Sequence, residues 1–224
     1  MIDLNADVGE GMGVEAELLP LITSASIACG GHAGDVASMR EALRLAKRYG
    51  VRVGAHPGYE DRPHFGRREL DLHPAEVTAL CARQIKSLLE VAAEVEVAVC
   101  YVKPHGALYN QACRDEALAA AVVAAVRPWG LAVMGLPASA LERAARAAGL
   151  AFLREGFADR RYLADGTLAP RAQPGALLGD PAEAAEQVRR LIHDQGIESV
   201  CVHGDSPGVV AFTAALRDLL RDRT

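Results

Sequence analysis

Aromatic residues are scarce in this sequence, at 4% of 224 residues, although half of the residues are hydrophobic. A sizeable core can therefore be buried, but it has to be aliphatic, built from Ala, Val and Leu. The sequence also lacks an apolar run long enough to cross a bilayer. Its first residues lack the charged and apolar regions of a signal peptide. We therefore expect no membrane partner.

The sequence also has fewer basic than acidic residues and lacks a paired-cysteine motif. The 24 Lys and Arg residues are outnumbered by 29 Asp and Glu residues. Nucleic-acid-binding domains usually present a basic surface, so we expect no nucleic acid partner. The five cysteines include no C-x-x-C pair. Cys29, Cys100 and Cys201 lie within or at the ends of apolar runs, which predicts reduced, buried thiols and a cytoplasmic location.

Two kinds of binding motif are absent as well. The sequence contains no G-x-x-x-x-G-K-[ST] loop for nucleotide phosphates, and no H-E-x-x-H or H-x-x-x-H pair for a metal ion. Gly9, Gly11 and Gly13 form a short glycine-rich loop whose N–H groups could hold a phosphate or a carboxylate, but this signal is weak. Support for a metal therefore rests on ligand type alone.

What the sequence does contain is a regular alternation of short apolar runs with stretches of helical length. This alternation indicates parallel strands with helices outside them. Polar clusters follow nearly every strand, which favours a closed barrel over an open sheet with one switch point. We predict a single domain over 1–224, a seven-stranded parallel β/α barrel, with an ordered loop over 157–179 at its active face. Strands are predicted at 2–6, 24–29, 51–55, 97–102, 131–135, 151–154 and 198–202, and helices at 35–49, 74–94, 115–126, 138–148, 181–194 and from about 206 onward.

Titratable residues flanked by glycine recur where these strands end. The carboxyl ends of the strands of an α/β barrel gather on one face, where catalysis takes place. The pattern therefore predicts that scattered residues form a single site. The residues in question are Asp7 and Glu10 after the first strand, His32 after the second, His56 after the third, Lys103 and His105 after the fourth, and His203 and Asp205 after the seventh.

The first strand shows how such residues would be placed. Asp3, Asn5 and Asp7 alternate with apolar residues and so share one face, which in a barrel strand is the interior. Buried carboxylates are costly unless they are paired, hydrogen-bonded or bound to a metal. We predict a functional Asp7, with a turn-capping role as the alternative. Asp35, by contrast, is placed to cap the following helix.

The charged residues near the later strands suggest acid–base chemistry and anion binding. Lys103 supplies a cation and His105 a proton carrier, although a surface lysine and a turn histidine remain the alternative. Arg67 and Arg160 adjoin glycine and aromatic residues, and arginine pairs bidentately with carboxylate or phosphate. We predict Asp7, His56, Lys103 and His105 as catalytic residues, and Asn5, His32, Arg67, Asp159, Arg160, His203 and Asp205 as substrate- or phosphate-binding residues. The candidate ligands for a divalent Mg or Zn ion are Asp7, His32, His56 and His105.

Seven stretches, in this order, resemble the LamB/YcsF family, and they span essentially the whole chain. The chain departs from the family pattern at Ala6, where many members carry Cys, which argues against a necessary cysteine nucleophile there. The stretches are D-L-N-A-D-V-G-E at 3–10, S-I-A-C-G-G-H-A-G-D at 26–35, G-A-H-P-G-Y at 54–59, F-G-R-R at 65–68, V-K-P-H-G-A-L-Y-N at 102–110, F-A-D-R-R-Y at 157–162 and V-H-G-D at 202–205.

The resemblance implies a barrel of the glycoside hydrolase/deacetylase type. It also implies ATP-dependent opening of the 5-oxo-L-proline lactam to L-glutamate, with ATP as co-substrate and two further subunits, B and C, as partners. Deacetylases of that superfamily hold a metal with an Asp and two His. Asp7 and His56 lie in comparable places here, but the deacetylase histidine pair is missing.

The implied chemistry suggests a role for each group. Lys103, Arg67 and Arg160 would bind phosphate and carboxylate. Asp7 or His105 would act as the general base, and His56 and His203 would donate to a developing oxyanion. Two other functions stay open: a stand-alone metal-dependent amidase or deacetylase acting on a small amide or sugar, and a non-catalytic lactam- or carbohydrate-binding module.

Overall fold

Seven parallel strands pair in chain order, and the last pairs with the first to close a barrel. The computed structural model describes residues 2–163, 166–171, 173–206 and 208–221. The predicted fold class is confirmed. The strands are β1 Asp3–Val8, β2 Ser24–Ala28, β3 Arg52–His56, β4 Val99–Val102, β5 Ala132–Gly135, β6 Phe152–Phe157 and β7 Ser199–Val202.

Helices surround the barrel and fill the connections between strands. Within the described ranges, every helix is too short or too polar to cross a membrane. The helices are α1 Glu15–Leu18, α2 Val36–Tyr49, α3 Pro74–Glu94, α4 Gly106–Arg114, α5 Glu116–Val126, α6 Ala140–Ala147, α7 Pro181–Gln195 and α8 Val209–Arg221.

Side-chain caps fix where several helices begin. Asp35 accepts a hydrogen bond from the Ser38 backbone N–H, and the Ser38 hydroxyl accepts one from the Asp35 N–H, so the predicted N-cap of α2 is confirmed. Asp115 caps α5 through its side chain as well. The helix α4, directly before it, was not predicted, because K-P-H-G resembles a turn. Gly106, at a φ of 53°, is the first residue of α4, so the turn leads into the helix without a gap.

The barrel separates an apolar shell from a polar interior. Leu4, Ala6 and Val8 of β1 point outward and pack in the core between the strands and the helices. The alternate residues of the same strand face inward, as the sequence pattern predicted. Asn5 donates hydrogen bonds across the interior to Glu155 (3.0 Å) and to Ser199 (2.8 Å). Buried polar groups are stable there because they satisfy one another.

A tyrosine ring closes the middle of the interior. Tyr101 of β4 is fully buried, and its hydroxyl shares a hydrogen bond with Ser26 of β2 at 3.1 Å. The ring lies against Gly54 of β3, where a Cβ atom would be only 2.2 Å from it. Glycine at this position therefore makes room for the ring.

One thiol is not where the sequence predicted it. Cys29 and Cys201 are buried and free, as predicted, but Cys100 is exposed. The register between β3 and β4 skips a residue, so that Val53 pairs with Val99 and Gly54 pairs with Tyr101. Cys100 is the unpaired residue of this bulge, which turns its side chain away from the core.

The segment after β6 folds back over the carboxyl end of the barrel. Its described residues form two antiparallel bridges, Arg160 with Leu177 and Tyr162 with Leu168. Leu168 and Arg171 line the cavity at this end. The predicted ordered loop over 157–179 therefore covers the active face, although residues 164, 165 and 172 lie outside the described residues.

Substitution of Gly54 by Ala tests the packing of the interior. Because the new methyl group would overlap the Tyr101 ring, we expect a loss of about 1–3 kcal/mol in the free energy of unfolding, measured by urea denaturation. Gly179→Ala is the control, since no atom of the described residues lies within 4 Å of the added methyl group. Equal stability of the two variants would refute the packing argument.

Candidate active site

A cavity of about 1700 Å³ opens at the carboxyl ends of the strands, under the segment that follows β6. Its polar wall contains the predicted residues Asp7, His56, Arg67, Lys103, His105, Arg160 and His203. The other predicted residues lie directly behind this wall and contact it. Asn5 and His32 support Lys103 and His105, while Asp159 and Asp205 support His203 and Arg67.

A buried lysine occupies the centre of the site. Lys103 is 2% exposed, and its Nζ lies 3.0 Å from Asp7 Oδ1 and 2.7 Å from Glu155 Oε1. It donates hydrogen bonds to Asn5 Oδ1 (3.1 Å) and to Cys201 Sγ (3.2 Å). Burial alone would lower the pKa of Lys103, but Asp7, Cys201 and Glu155 together raise it well above its ordinary value. The ammonium is therefore a permanent charge.

One oxygen of Asp7 has no hydrogen bond to any described residue. Oδ1 is buried and faces Lys103 as an ion-pair partner, but the geometry of this contact is not that of a hydrogen bond. Burial alone would raise the pKa of Asp7, yet the charges of His56 and Lys103 hold it well below its usual range. Asp7, which lines the cavity, therefore keeps an ionised oxygen that lacks a hydrogen bond.

Hydrogen bonds to two carbonyl groups fix the tautomers of two histidines. His56 Nδ1–H donates to the Lys103 carbonyl oxygen at 2.8 Å, and His105 Nε2–H donates to the Phe65 carbonyl oxygen at 2.9 Å. Since a carbonyl only accepts, each neutral ring keeps a bare nitrogen on its other side. These two nitrogens, His56 Nε2 and His105 Nδ1, face each other at 2.9 Å. His56 Nε2 thus faces both His105 Nδ1 and, at 3.3 Å, Asp7 Oδ2.

Glu10 and His32 complete this group, which we call the histidine cluster: Glu10, His32, His56 and His105. His32 Nε2 lies 2.9 Å from Glu10 Oε1, and its ring stacks on His105 with centroids 3.6 Å apart. Burial and the charge of Asp7 raise the pKa of Glu10 to about 7, and burial is the largest cause that lowers the pKa of His32 to about 2. Asp7, a predicted metal ligand, faces Lys103 with Oδ1 and contacts this cluster with Oδ2, which lies 3.3 Å from His56 Nε2.

A carboxylate orients the last predicted histidine. Asp159 accepts hydrogen bonds from the backbone N–H of His203 at 3.0 Å and from its Nδ1–H at 2.9 Å. Burial opposes ionisation of Asp159, but the contacts with His203 hold its pKa below the usual value. His203 Nε2 is left for the cavity that this residue lines. A carboxylate behind an imidazole is the arrangement of a general base.

Arginines form the outer wall. Asp205 accepts hydrogen bonds from Arg67 at 2.5 Å and from Arg171 at 2.8 Å, so it joins the loop after β3 to the segment after β6. Arg160 is 7% exposed and donates from Nη2 to the Ala169 carbonyl oxygen. Its buried Nε–H has no partner in the described part of the chain. These groups offer fixed positive charge to an anionic ligand.

Three contributors to this site were missed or left without a role by the sequence analysis. Glu10 belongs to the first motif, but no local sequence pattern indicated that it contacts the histidines of the cluster. Glu155 follows the sixth predicted strand directly, and its place beside Gly156 at a strand end was the available clue. Arg171 follows Pro170 in the long loop, where the sequence alone does not show which way a side chain points.

The fold and the site define the class of this protein: a parallel β/α barrel with an enzyme-like site at the carboxyl ends of its strands. The family model of the LamB/YcsF family matches residues 2–224. The chain belongs to this family, which confirms the resemblance found in the sequence.

Relatives with names and structures agree with this assignment. The 5-oxoprolinase A subunit of Symbiobacterium thermophilum is 48% identical over 98% of this chain and 91% of its own length. The corresponding A subunit of Neisseria meningitidis serogroup C is 44% identical, over 98% of this chain and 95% of its own. The lactam utilization protein of Thermus thermophilus has a TM-score of 0.89 at 40% identity, covering 99% of this chain and 96% of its own. A family 4 carbohydrate esterase of Streptomyces lividans, with a TM-score of 0.52 at 13% identity over 99% and 88%, shares the fold alone.

Lys103→Met tests whether the central ion pairs stabilise the barrel. The change leaves two buried carboxylates, Asp7 and Glu155, without their cation, so we expect a loss of about 3–5 kcal/mol in the free energy of unfolding. Lys86→Met is the control, because Lys86 pairs with Glu90 on an exposed helix face and should cost less than about 1 kcal/mol. Similar losses in the two variants would contradict the central role of Lys103.

Proposed function

We propose that this chain is the A subunit of a 5-oxoprolinase and that its barrel site binds the lactam of 5-oxo-L-proline for opening to L-glutamate. The observation that carries this proposal is the pairing of an unsatisfied acceptor with a cation at the cavity wall. Asp7 Oδ1 and Lys103 Nζ lie 3.0 Å apart. The names of the relatives, which are a 5-oxoprolinase component and a lactam utilization protein, support the same substrate class.

A lactam fits this pair because of its geometry. In a five-membered ring the amide is held cis, so its N–H and C=O lie on the same edge, whereas ordinary peptide amides are trans. An acceptor beside an ammonium group matches that edge: the lactam N–H donates to Asp7, and the carbonyl oxygen accepts a Lys103 hydrogen in place of the weak acceptor Cys201 Sγ. The pair therefore favours a cyclic amide over an open-chain one.

The same pair also serves the reaction. Negative charge develops on the lactam oxygen when water attacks the carbonyl carbon directly. When that oxygen is phosphorylated instead, it gives up electron density, and the negative charge lies on the phosphoryl group that it then carries. Lys103 is buried and permanently charged, so it stabilises this charge without reorganisation of solvent. The arginines Arg67, Arg160 and Arg171 are suited to the substrate carboxylate and to a transferred phosphoryl group.

Proton transfer is best assigned to His203. Among the bases at the cavity wall, Asp7 is committed to Lys103, and His105 faces His56 within the histidine cluster. His203 has its ring held by Asp159 on one side and its Nε2 directed to the cavity. We assign to it the activation of water and the return of the proton to the leaving nitrogen.

ATP and the partner subunits belong to the same proposal. Hydrolysis of a stable lactam is slow or uphill. Transfer of the γ-phosphoryl group of ATP to the lactam oxygen releases ADP and makes an activated imidate. Water adds to the imidate carbon, the ring C–N bond breaks to give an acyl phosphate, and a second water releases phosphate and leaves glutamate. The chain lacks a P-loop, so we propose that it works with subunits B and C in the cytoplasm and that the nucleotide site is completed in that complex.

The lactone analogue 5-oxotetrahydrofuran-2-carboxylate tests the contact with Asp7. It keeps the ring, the carbonyl and the carboxylate but replaces the N–H by oxygen, which leaves a buried acceptor unpaired. We expect it to bind roughly 10- to 100-fold more weakly than 5-oxoproline, measured by calorimetry on this chain and on the complex. In Asp7→Ala the difference should disappear. Equal binding of both ligands to the unmodified protein would rule out this contact.

Substitution of His203 tests the proton-transfer role. In the complex reconstituted with subunits B and C, His203→Asn should lower kcat for 5-oxoproline-dependent ADP and glutamate release by roughly 10²–10⁴-fold, with a smaller change in KM. His193→Asn is the matched control, since His193 is exposed on α7. Full activity of His203→Asn would exclude the role. Full activity of this chain without ATP or partners would instead favour a stand-alone amidase.

A further inference from the structure

The cavity at the carboxyl ends of the strands is larger than the proposed lactam requires. Its volume is about 1700 Å³. Pockets for drug-sized ligands span roughly 300–1000 Å³, and 5-oxoproline has only about nine non-hydrogen atoms. The helix α6 packs on α4 and α5, whereas α7 packs on α8. The cavity continues from the rim into the cleft between α6 and α7, where its wall contains Ser139, Arg146, Arg154 and Asp194. Space for a second ligand therefore adjoins the lactam site.

The charge of the cavity wall indicates what kind of ligand fits that space. Eight of the chain's 24 basic residues line the cavity, together with four Asp and Glu residues. In the whole chain, by contrast, acidic residues outnumber basic ones. A cleft lined mainly by one sign of charge focuses its field and attracts ligands of the opposite sign. The second ligand is therefore expected to be an anion that carries several charges.

Carboxylates that are shared between two arginines account for part of this excess. Glu142 of α6 is 5% exposed, and its Oε1 accepts hydrogen bonds from Arg146 Nε at 2.8 Å and from Arg154 Nε at 3.0 Å. Asp205 is shared in the same way by the two arginines that it joins in the outer wall. Each of these groups of three therefore keeps one positive charge that its own carboxylate does not neutralise.

Strand β6 connects the cleft to the lysine network. Successive side chains of a strand point to opposite faces. Glu155 faces the barrel interior, where it contacts Lys103, and Arg154 faces outward, where it contacts Glu142. The side chains of Arg146 and Arg154 are 53% and 40% exposed. Their guanidinium groups are therefore accessible to a ligand in the cleft, and Arg154 and Lys103 line adjoining parts of one cavity.

Arg160 supplies positive charge at the rim, between the cleft and the lactam site. Its Nη2 donates to a neutral carbonyl oxygen, that of Ala169. Burial and the neighbouring charge of Arg171 lower the pKa of Arg160, although Asp159 opposes them. The lowered pKa reflects a surplus of positive charge around this guanidinium group, which an anion bound nearby would relieve.

We propose that the cleft between α6 and α7 binds the polyphosphate chain of a nucleoside triphosphate through Arg146 and Arg154, with Arg160 beside the phosphate that is transferred. This inference rests on the proposed function, because it identifies the second ligand with the ATP of that reaction. Arginine suits the task, since its planar fork of N–H groups pairs bidentately with phosphate oxygens. Fixed cations also stabilise the charge of a phosphoryl group in transfer.

Equilibrium dialysis with β,γ-methylene-ATP, which is not hydrolysed at that bond, tests the cleft without any turnover. The full chain is measured alone and together with subunits B and C. Arg146→Met and Arg154→Met should each weaken binding of the analogue by roughly 10- to 100-fold, because each loses a charged contact with phosphate. Inorganic tripolyphosphate should compete with the analogue more strongly than adenosine does. Each substitution leaves Glu142 paired with the other arginine, so we expect both variants to fold, as circular dichroism can verify.

A control on another face of the protein separates this site from general surface charge. Arg83→Met removes an arginine that pairs with Glu60 on an exposed face of α3, and it should leave the affinity for the analogue unchanged. The proposal is overturned if folded Arg146→Met and Arg154→Met bind the analogue as tightly as the unmodified chain, if neither the chain nor the complex binds it, or if tripolyphosphate does not compete. The lactone test of the proposed function is made without nucleotide, so a failure there is distinguishable from a failure here.

Discussion

The ion pairs of Lys103 inside the barrel are the interaction on which the site depends. A barrel of this size is usually filled by aliphatic side chains, but this interior is polar, and charged groups are stable there only in balanced pairs. Lys103 joins β4 to Asp7 on β1 and to Glu155 on β6. The same contacts connect distant strands, hold the lysine charged and leave one buried oxygen of Asp7 without a hydrogen bond. Structure and chemistry are therefore set by one network.

Closure of the barrel gives this network its position. The carboxyl ends of the parallel strands all lie at one rim of the barrel. Residues separated by up to about two hundred positions in the chain therefore meet there. The rim has two neighbouring parts: the lysine network with Asp159 and His203, and the histidine cluster with Glu10. Asp7 touches both, through Lys103 Nζ and through His56 Nε2. The segment after β6 covers this rim with arginines, which leaves an anion-binding wall above a buried cation.

Much of the architecture could be predicted because it depends on local sequence patterns. The alternation in β1 predicted an inward row of polar residues, and the helix over 74–94 was predicted at its observed bounds because Pro74 and its periodicity are local signals. The errors have physical causes that act over longer distances. Cys100 is exposed because of a register skip against β3, and helix α4 was missed because a glycine in the left-handed region turns the chain directly into it.

The sequence by itself determined the strand–helix alternation, the family, and the list of titratable residues that end the strands, since each of these is carried by residue type and by short spacing. Only the tertiary structure decided which of those residues touch. It paired Lys103 with both Asp7 and Glu155, added Glu10 to the three histidines beside Asp7, and set Asp159 behind His203. The reason is that contact across a closed barrel depends on strand register and on side-chain direction. Neither is encoded in the spacing of residues along the chain.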